Sequence, residues 1–268
     1  MRENPGSVAR GMREGIFESS RKIASRQERQ PLSAAATRRA GLSHAVGLAA
    51  LVTVVATLLA YLLPEDWRAT GVGFAFLLTT YWMVIRHDDP VQIRAYGVSL
   101  AGLMEPVPLQ ARRLWRDALT ALGWAGLCCI LIFPCFWLGF RSWWDVDAFR
   151  PAPLWPLASA LLAELLVIAL PEEAFYRGYL QSSLDRALGK PWRVLGAELG
   201  LGLPLASAVF AVGHLLTELH PARLAVFFPS LVFGWLRAKT GGIGASIVFH
   251  AACNLFASYL LRSYGLAR

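Results

Sequence analysis

The sequence predicts an all-α fold, a polytopic transmembrane helical bundle of about seven spans. Two observations carry this expectation. Hydrophobic residues make up 56% of the 268 positions and charged residues only 16%, against about 25% charged in ordinary soluble domains. The apolar residues also fall into runs long enough to cross a bilayer, so lipid is the implied solvent. A third observation concerns sidedness, because Lys and Arg gather in alternate loops, as short cytoplasmic loops require.

A spanning helix needs about 20 mostly apolar residues, and six or seven segments qualify. The first runs from His44 to Leu63, the second from Ala69 to Ile85, and the third from Leu119 to Phe140. The fourth begins near Pro153 and continues past Ala169 into a polar cluster at Glu172 to Arg177. The fifth extends from Val194 to Leu216, the short sixth from Ala222 to Leu236, and the seventh from Ile243 to Leu261. Between the second and third, Val91 to Met104 is semi-apolar and flanked by Pro90, Pro106 and Pro108, which fits an interfacial segment. Three regions follow: a basic tail over 1–40, N-terminal transmembrane helices with the interfacial segment over 41–150, and a helical core over 151–265.

The net charge of +8 raises the question of nucleic acid, but its largest block is residues 1–40, with nine Lys or Arg against four Glu. That stretch mixes Gly, Ser, Pro and Gln and has no apolar run of signal-peptide length. It reads as a disordered cytoplasmic tail beside anionic headgroups, so the bilayer rather than nucleic acid is the expected partner. Under seven spans, the tail, Arg86, Arg94, Arg112, Arg113, Arg116, Arg186, Lys190, Arg193, Arg237 and Lys239 share one side. The opposite loops hold only Arg68, Arg141, Arg150 and Arg223 between spans. The expectation is a multi-pass protein of the inner (plasma) membrane with its N-terminus in the cytoplasm. Only three basic residues are Lys, a usage that points to a GC-rich bacterial genome. The cysteines Cys128, Cys129, Cys135 and Cys253 sit inside apolar runs without CxxC spacing and read as packing residues.

Ionisable side chains at membrane depth cost a few kcal/mol, which makes each a functional candidate. Glu173 and Arg177 stand four apart in the order that favours a helical ion pair. Glu172 points about 100° away and lacks that partner, leaving a carboxylate in apolar surroundings suited to proton transfer. The plain alternative is that these three residues mark a helix end at the membrane boundary. Two further clusters argue against it. His214 closes the apolar fifth span in Phe210-Ala211-Val212-Gly213-His214, and His250 and Asn254 share a face of the seventh. A fifth helix starting at Val194 puts His214 and His250 at different depths, but Gly196, Gly200, Gly202 and Pro204 move its regular start toward Pro204 and level them.

The ordered set EExxxR at Glu172 to Arg177, FxxxH at Phe210 to His214 and HxxxN at His250 to Asn254 resembles the CPBP family of glutamic intramembrane proteases. That family holds the type II CAAX prenyl endopeptidases and the bacterial abortive-infection or self-immunity proteins. The likeness covers about Leu154 to Leu261. It implies an intramembrane endopeptidase without cofactor or metal, acting on a membrane-associated protein or peptide. Within it, Glu172 is implied to be the general base and His214 its partner in activating water. His250 and Asn254 are implied to hold the oxyanion, with Glu173 and Arg177 orienting the site. Prenylated CAAX proteins are the eukaryotic substrates, whereas C-terminal membrane-anchored sorting tails are the implied targets in bacteria. Two other functions stay open on the residues alone: a zinc-dependent membrane protease using the two histidines and a carboxylate, and a non-catalytic membrane binding or self-immunity protein.

Overall fold

The computed structural model describes residues 36–266. The predicted tail up to residue 35 lies outside them, and 36–40 are helical. Helix α1 spans Ala36–Leu62. Its first described residues, 36–44, belong to a separate N-terminal unit, and the compact body begins at Ala45. Helix α2 (Glu65–Thr80) continues through a π turn to Ile85, α3 is Pro90–Ala95, and α4 is Ala111–Trp144. A helical run over 155–188 follows, composed of α5 (Trp155–Ala163), a π turn (Glu164–Ala169), α6 (Leu170–Glu173), a second π turn (Ala174–Gln181) and α7 (Ser182–Leu188). Strands β1 (Trp192–Val194) and β2 (Ala197–Leu199) precede α8 (Gly202–Thr217), α9 (Phe227–Thr240) and α10 (Gly244–Ser263).

Among the described residues, four helices are long and apolar enough to cross a membrane: Ala36–Leu62, Glu65–Ile85, Ala111–Trp144 and Gly244–Ser263. The protein is a multi-pass membrane protein, and of the seven expected spans these four described helices meet the length and apolarity of a crossing. The fourth predicted span is a helix of mixed α and π turns. The fifth and sixth become α8 and α9, with 16 and 14 residues. At 1.5 Å per residue these reach about 24 and 21 Å, short of a hydrocarbon core of about 30 Å.

The fifth span begins late because its predicted first turns form an antiparallel hairpin. Leu195 (φ 49°) and Gly196 (φ 80°) make the two-residue turn, and positive φ at both positions matches the twist of paired strands. Helix α8 then starts at Gly202, where a Cβ would stand 2.4 Å from Asp185 Oδ1 and 2.8 Å from the Gln181 carbonyl. Only glycine lets α8 approach α7 so closely. Pro204 occupies the first turn, where its missing N–H costs nothing.

The body has two ends that agree with the charge pattern. At one, Arg237 donates to the Ala95 carbonyl, Ile243 N to the Gly97 carbonyl, and Lys239 to the Leu195 carbonyl. At the other, Arg150 N and Ala152 N bond Ser263, and Trp137 donates to Tyr264. The segments predicted to share a side therefore meet. Exposed Trp82, Trp115 and Trp192 stand toward the first end, and Trp67, Trp143, Trp144 and Trp155 toward the second, as aromatic belts do. Between them α4 presents Leu127, Ile130, Leu131 and Leu138 outward, an apolar face that needs lipid for cover.

The predicted interfacial segment packs into the body. Ile93 and Val98 are buried, and so is the Glu105 side chain. Arg113 donates to both Glu105 oxygens, at 3.1 and 2.6 Å, and the Ser99 hydroxyl donates to the same carboxylate. The Arg113 guanidinium, followed by the Ser99 bond, holds the Glu105 carboxyl down at about 2, against the desolvation that opposes it.

Candidate active site

The 155–188 run has π turns on both sides of Glu172 and Glu173, and such turns recur at functional sites. Eight residues of α-helix would leave Glu164 and Glu172 about 80° apart, and one intervening π turn takes back about 100°, bringing them within about 20° of one face. Both side chains line the same cavity. Glu173, one residue further round, points into the protein and is fully buried.

There Glu173 anchors a charge cluster. Its Oε1 lies 2.9 Å from Arg177 Nη1 and 2.8 Å from His250 Nδ1. Arg177, 1% exposed, also donates to Ser230 Oγ at 2.6 Å. Its guanidinium rests 4.5 Å from the Phe210 ring centre and 5.0 Å from that of Phe233, cation–π contacts that help replace lost hydration. His250 stacks on Phe233 at 4.6 Å. Its Nε2 faces Glu172 Oε2 at 3.7 Å.

Above this cluster lies a cavity of about 490 Å³ whose wall includes Glu164, Glu172, Tyr176, His214, Arg223 and Asn254. His214 stands in the last turn of α8, and its Nδ1 is 3.1 Å from the Phe210 carbonyl. A carbonyl only accepts, so Nδ1 carries the proton and Nε2 keeps a lone pair. The Phe210 ring, 4.3 Å from His214 and 5.9 Å from His250, separates the two imidazoles. Asn254, one turn beyond His250 on α10, donates from Nδ2 to Glu164 Oε2 at 2.9 Å.

Residues 153–256 match the family described as type II CAAX prenyl endopeptidase Rce1-like. That segment is similar to this family. No curated protein and no solved structure matches the chain. By that description the family's activity is that of an endopeptidase. Every motif residue, Glu172, Glu173, Arg177, His214, His250 and Asn254, falls inside the Rce1-like segment. Arg68, Thr53 and Phe76, which also line the cavity, fall before it.

The Rce1-like segment brings Glu172, His214 and Asn254 to one cavity. His250 stands apart from them, because it is 3% exposed and both its nitrogens face glutamates. Its Nδ1 is within hydrogen-bond distance of Glu173 Oε1, whereas Nε2 stands too far from Glu172 Oε2 for a hydrogen bond. Glu164 and Ser230 escaped the sequence reading. Glu164 is the one ionisable residue between Trp155 and Pro171, but it belongs to no motif. A single serine such as Ser230 carries no signal at all. Among the described residues, no group of three His, Cys, Asp or Glu side chains is arranged to hold a metal ion.

Proposed function

We propose that the chain is an intramembrane endopeptidase that hydrolyses a peptide bond of a membrane-associated protein with water activated by Glu172 and His214. One observation supports this reading above the others. Glu172, His214 and Asn254, residues of the Rce1-like segment on three separate helical segments, share the wall of one cavity.

Glu172 Oε2 is buried and has no hydrogen-bond partner of its own, an unmet acceptor that a water can satisfy. His214 Nε2 offers a second acceptor. Water held between them attacks the carbonyl carbon, its proton passes to Glu172, and a tetrahedral oxyanion forms. An Asn254 N–H stabilises that oxygen. Collapse breaks the C–N bond as Glu172 returns the proton to the leaving amine, giving an acid and an amine. Glu173 and Arg177 fix His250, which in turn faces Glu172.

For the substrate, we propose a C-terminal membrane-anchored sorting tail, because the Arg-rich composition is of bacterial type and bacteria generally lack prenylation. The test compares membrane-protein C-termini in cells carrying the active chain or Glu172→Gln. Shortened termini that depend on Glu172 are expected. Identical termini in both strains, together with no cleavage of membrane peptides by purified protein, would overturn the reading.

A further inference from the structure

Asn254 donates to a carboxylate from another helical segment, and that carboxylate shares its cavity. The amide of asparagine has two unlike ends. Its NH2 can hold an oxyanion, whereas its carbonyl would repel one, and nothing in the shape of the group selects between them. An ionised carboxylate only accepts, so Glu164 fixes which end lies where. One N–H goes to Glu164 Oε2 at 2.9 Å, and the second N–H on the same nitrogen stays available.

We propose that Glu164 is a positioning residue for Asn254, holding its amide with an N–H turned toward the oxygen of the scissile carbonyl. The inference rests on the peptidase reading above. It also accounts for the residue type and its setting. A carboxylate at membrane depth costs a few kcal/mol, and α5 with the turn after it holds no other ionisable residue. A simple packing contact would be met by an apolar side chain at lower cost. The π turn that begins at Glu164 brings this carboxylate onto the face that carries Glu172.

The experiment uses the full chain in proteoliposomes with two quenched peptides, one ending in an S-farnesyl CAAX sequence and one in an unprenylated apolar anchor. Glu164→Ala is expected to lower kcat about 10-fold with KM unchanged, the effect of losing one oriented hydrogen bond. Glu164→Gln, which keeps an acceptor oxygen, restores most of the rate. In an Asn254→Ala background, Glu164→Ala costs nothing further, because the residue it positions is gone. Glu164→Met fills the same space without an acceptor and carries the test if the alanine variant does not fold. Multiplicative losses in the double variant, an unchanged kcat, or an effect on KM alone would each overturn the proposal while leaving the peptidase reading in place. A wild type that cuts neither peptide and matches Glu172→Gln would remove both.

Discussion

Glu173→Ala separates the two adjacent glutamates by the kind of damage it does. Its carboxylate is fully buried, 2.9 Å from an Arg177 guanidinium that is 1% exposed and 2.8 Å from His250. Removing it strands a buried cation. Ser230 Oγ and the rings of Phe210 and Phe233 stay in contact with Arg177, but none of them carries charge. Breaking one partner out of a buried pair costs about 3–5 kcal/mol. For a body of this size each kcal/mol moves Tm by roughly 2–4 °C, so Glu173→Ala should melt about 6–20 °C below wild type. Glu172 differs, because its side chain is 14% exposed at the cavity and makes no hydrogen bond through Oε2. Glu172→Gln should therefore keep stability within about 1 kcal/mol of wild type, a Tm change of no more than roughly 2–4 °C, while losing activity. Tryptophan fluorescence melts in nanodiscs, paired with peptide cleavage, read both quantities. The double variant Glu173→Ala, Arg177→Met should recover part of the loss, since it leaves no stranded guanidinium. A Glu173→Ala protein with wild-type Tm and no activity would refute this reasoning and exchange the roles of the two glutamates.

Strong chelators should leave cleavage intact, and active protein should hold no stoichiometric zinc. Activity that vanishes on chelation and returns with zinc would make the water metal-bound and sink the glutamate–histidine mechanism. Glu105, held at about 2 chiefly by Arg113, stabilises the fold above the ordinary carboxylate value, and that contribution disappears as pH falls through its folded value. The Tm gap between wild type and Glu105→Gln should accordingly narrow from neutral pH toward about pH 3, and a gap that widens on acidification would contradict the pairing. Reporters fused after Arg39, Gln110 and Lys190 should be cytoplasmic and one after Trp144 should not. An external signal at Gln110 would overturn the sidedness read from the basic loops.

The sequence revealed what hydropathy and charge can encode. The two ends of the bundle were legible because Lys and Arg collect at one and are sparse at the other, and the Glu173–Arg177 pair because α-helical spacing was enough to find it. The hairpin at Leu195 and Gly196 was not. Its strands are three residues each, and Val194 and Leu195 extended an apolar run that hydropathy assigned to the next helix. Nor were the π turns legible, because no residue type marks them. Their absence from a regular helical wheel left Glu164 off the face of Glu172 and unassigned. His250 shows a different limit: its motif identified the residue, whereas its direction depended on where α10 packs against Glu173, a tertiary fact.

Charge counting then assigns His250 a task that suits its burial. With Glu172, Glu173 and Arg177 all ionised, the cluster carries one uncompensated negative charge unless one more proton is present. That proton has two seats 3.7 Å apart, His250 Nε2 and Glu172 Oε2. Seated on His250, it neutralises the cluster and leaves Glu172 free to act as a base. When Glu172 takes a second proton from water, the cluster becomes positive by one unit at the moment the substrate oxygen becomes negative by one. The two charges arise together in a water-poor site, where each lowers the cost of the other. On the proposed mechanism His250 therefore serves the oxyanion at a distance, through charge, and the hydrogen bond to that oxygen falls to Asn254, the partner of Glu164.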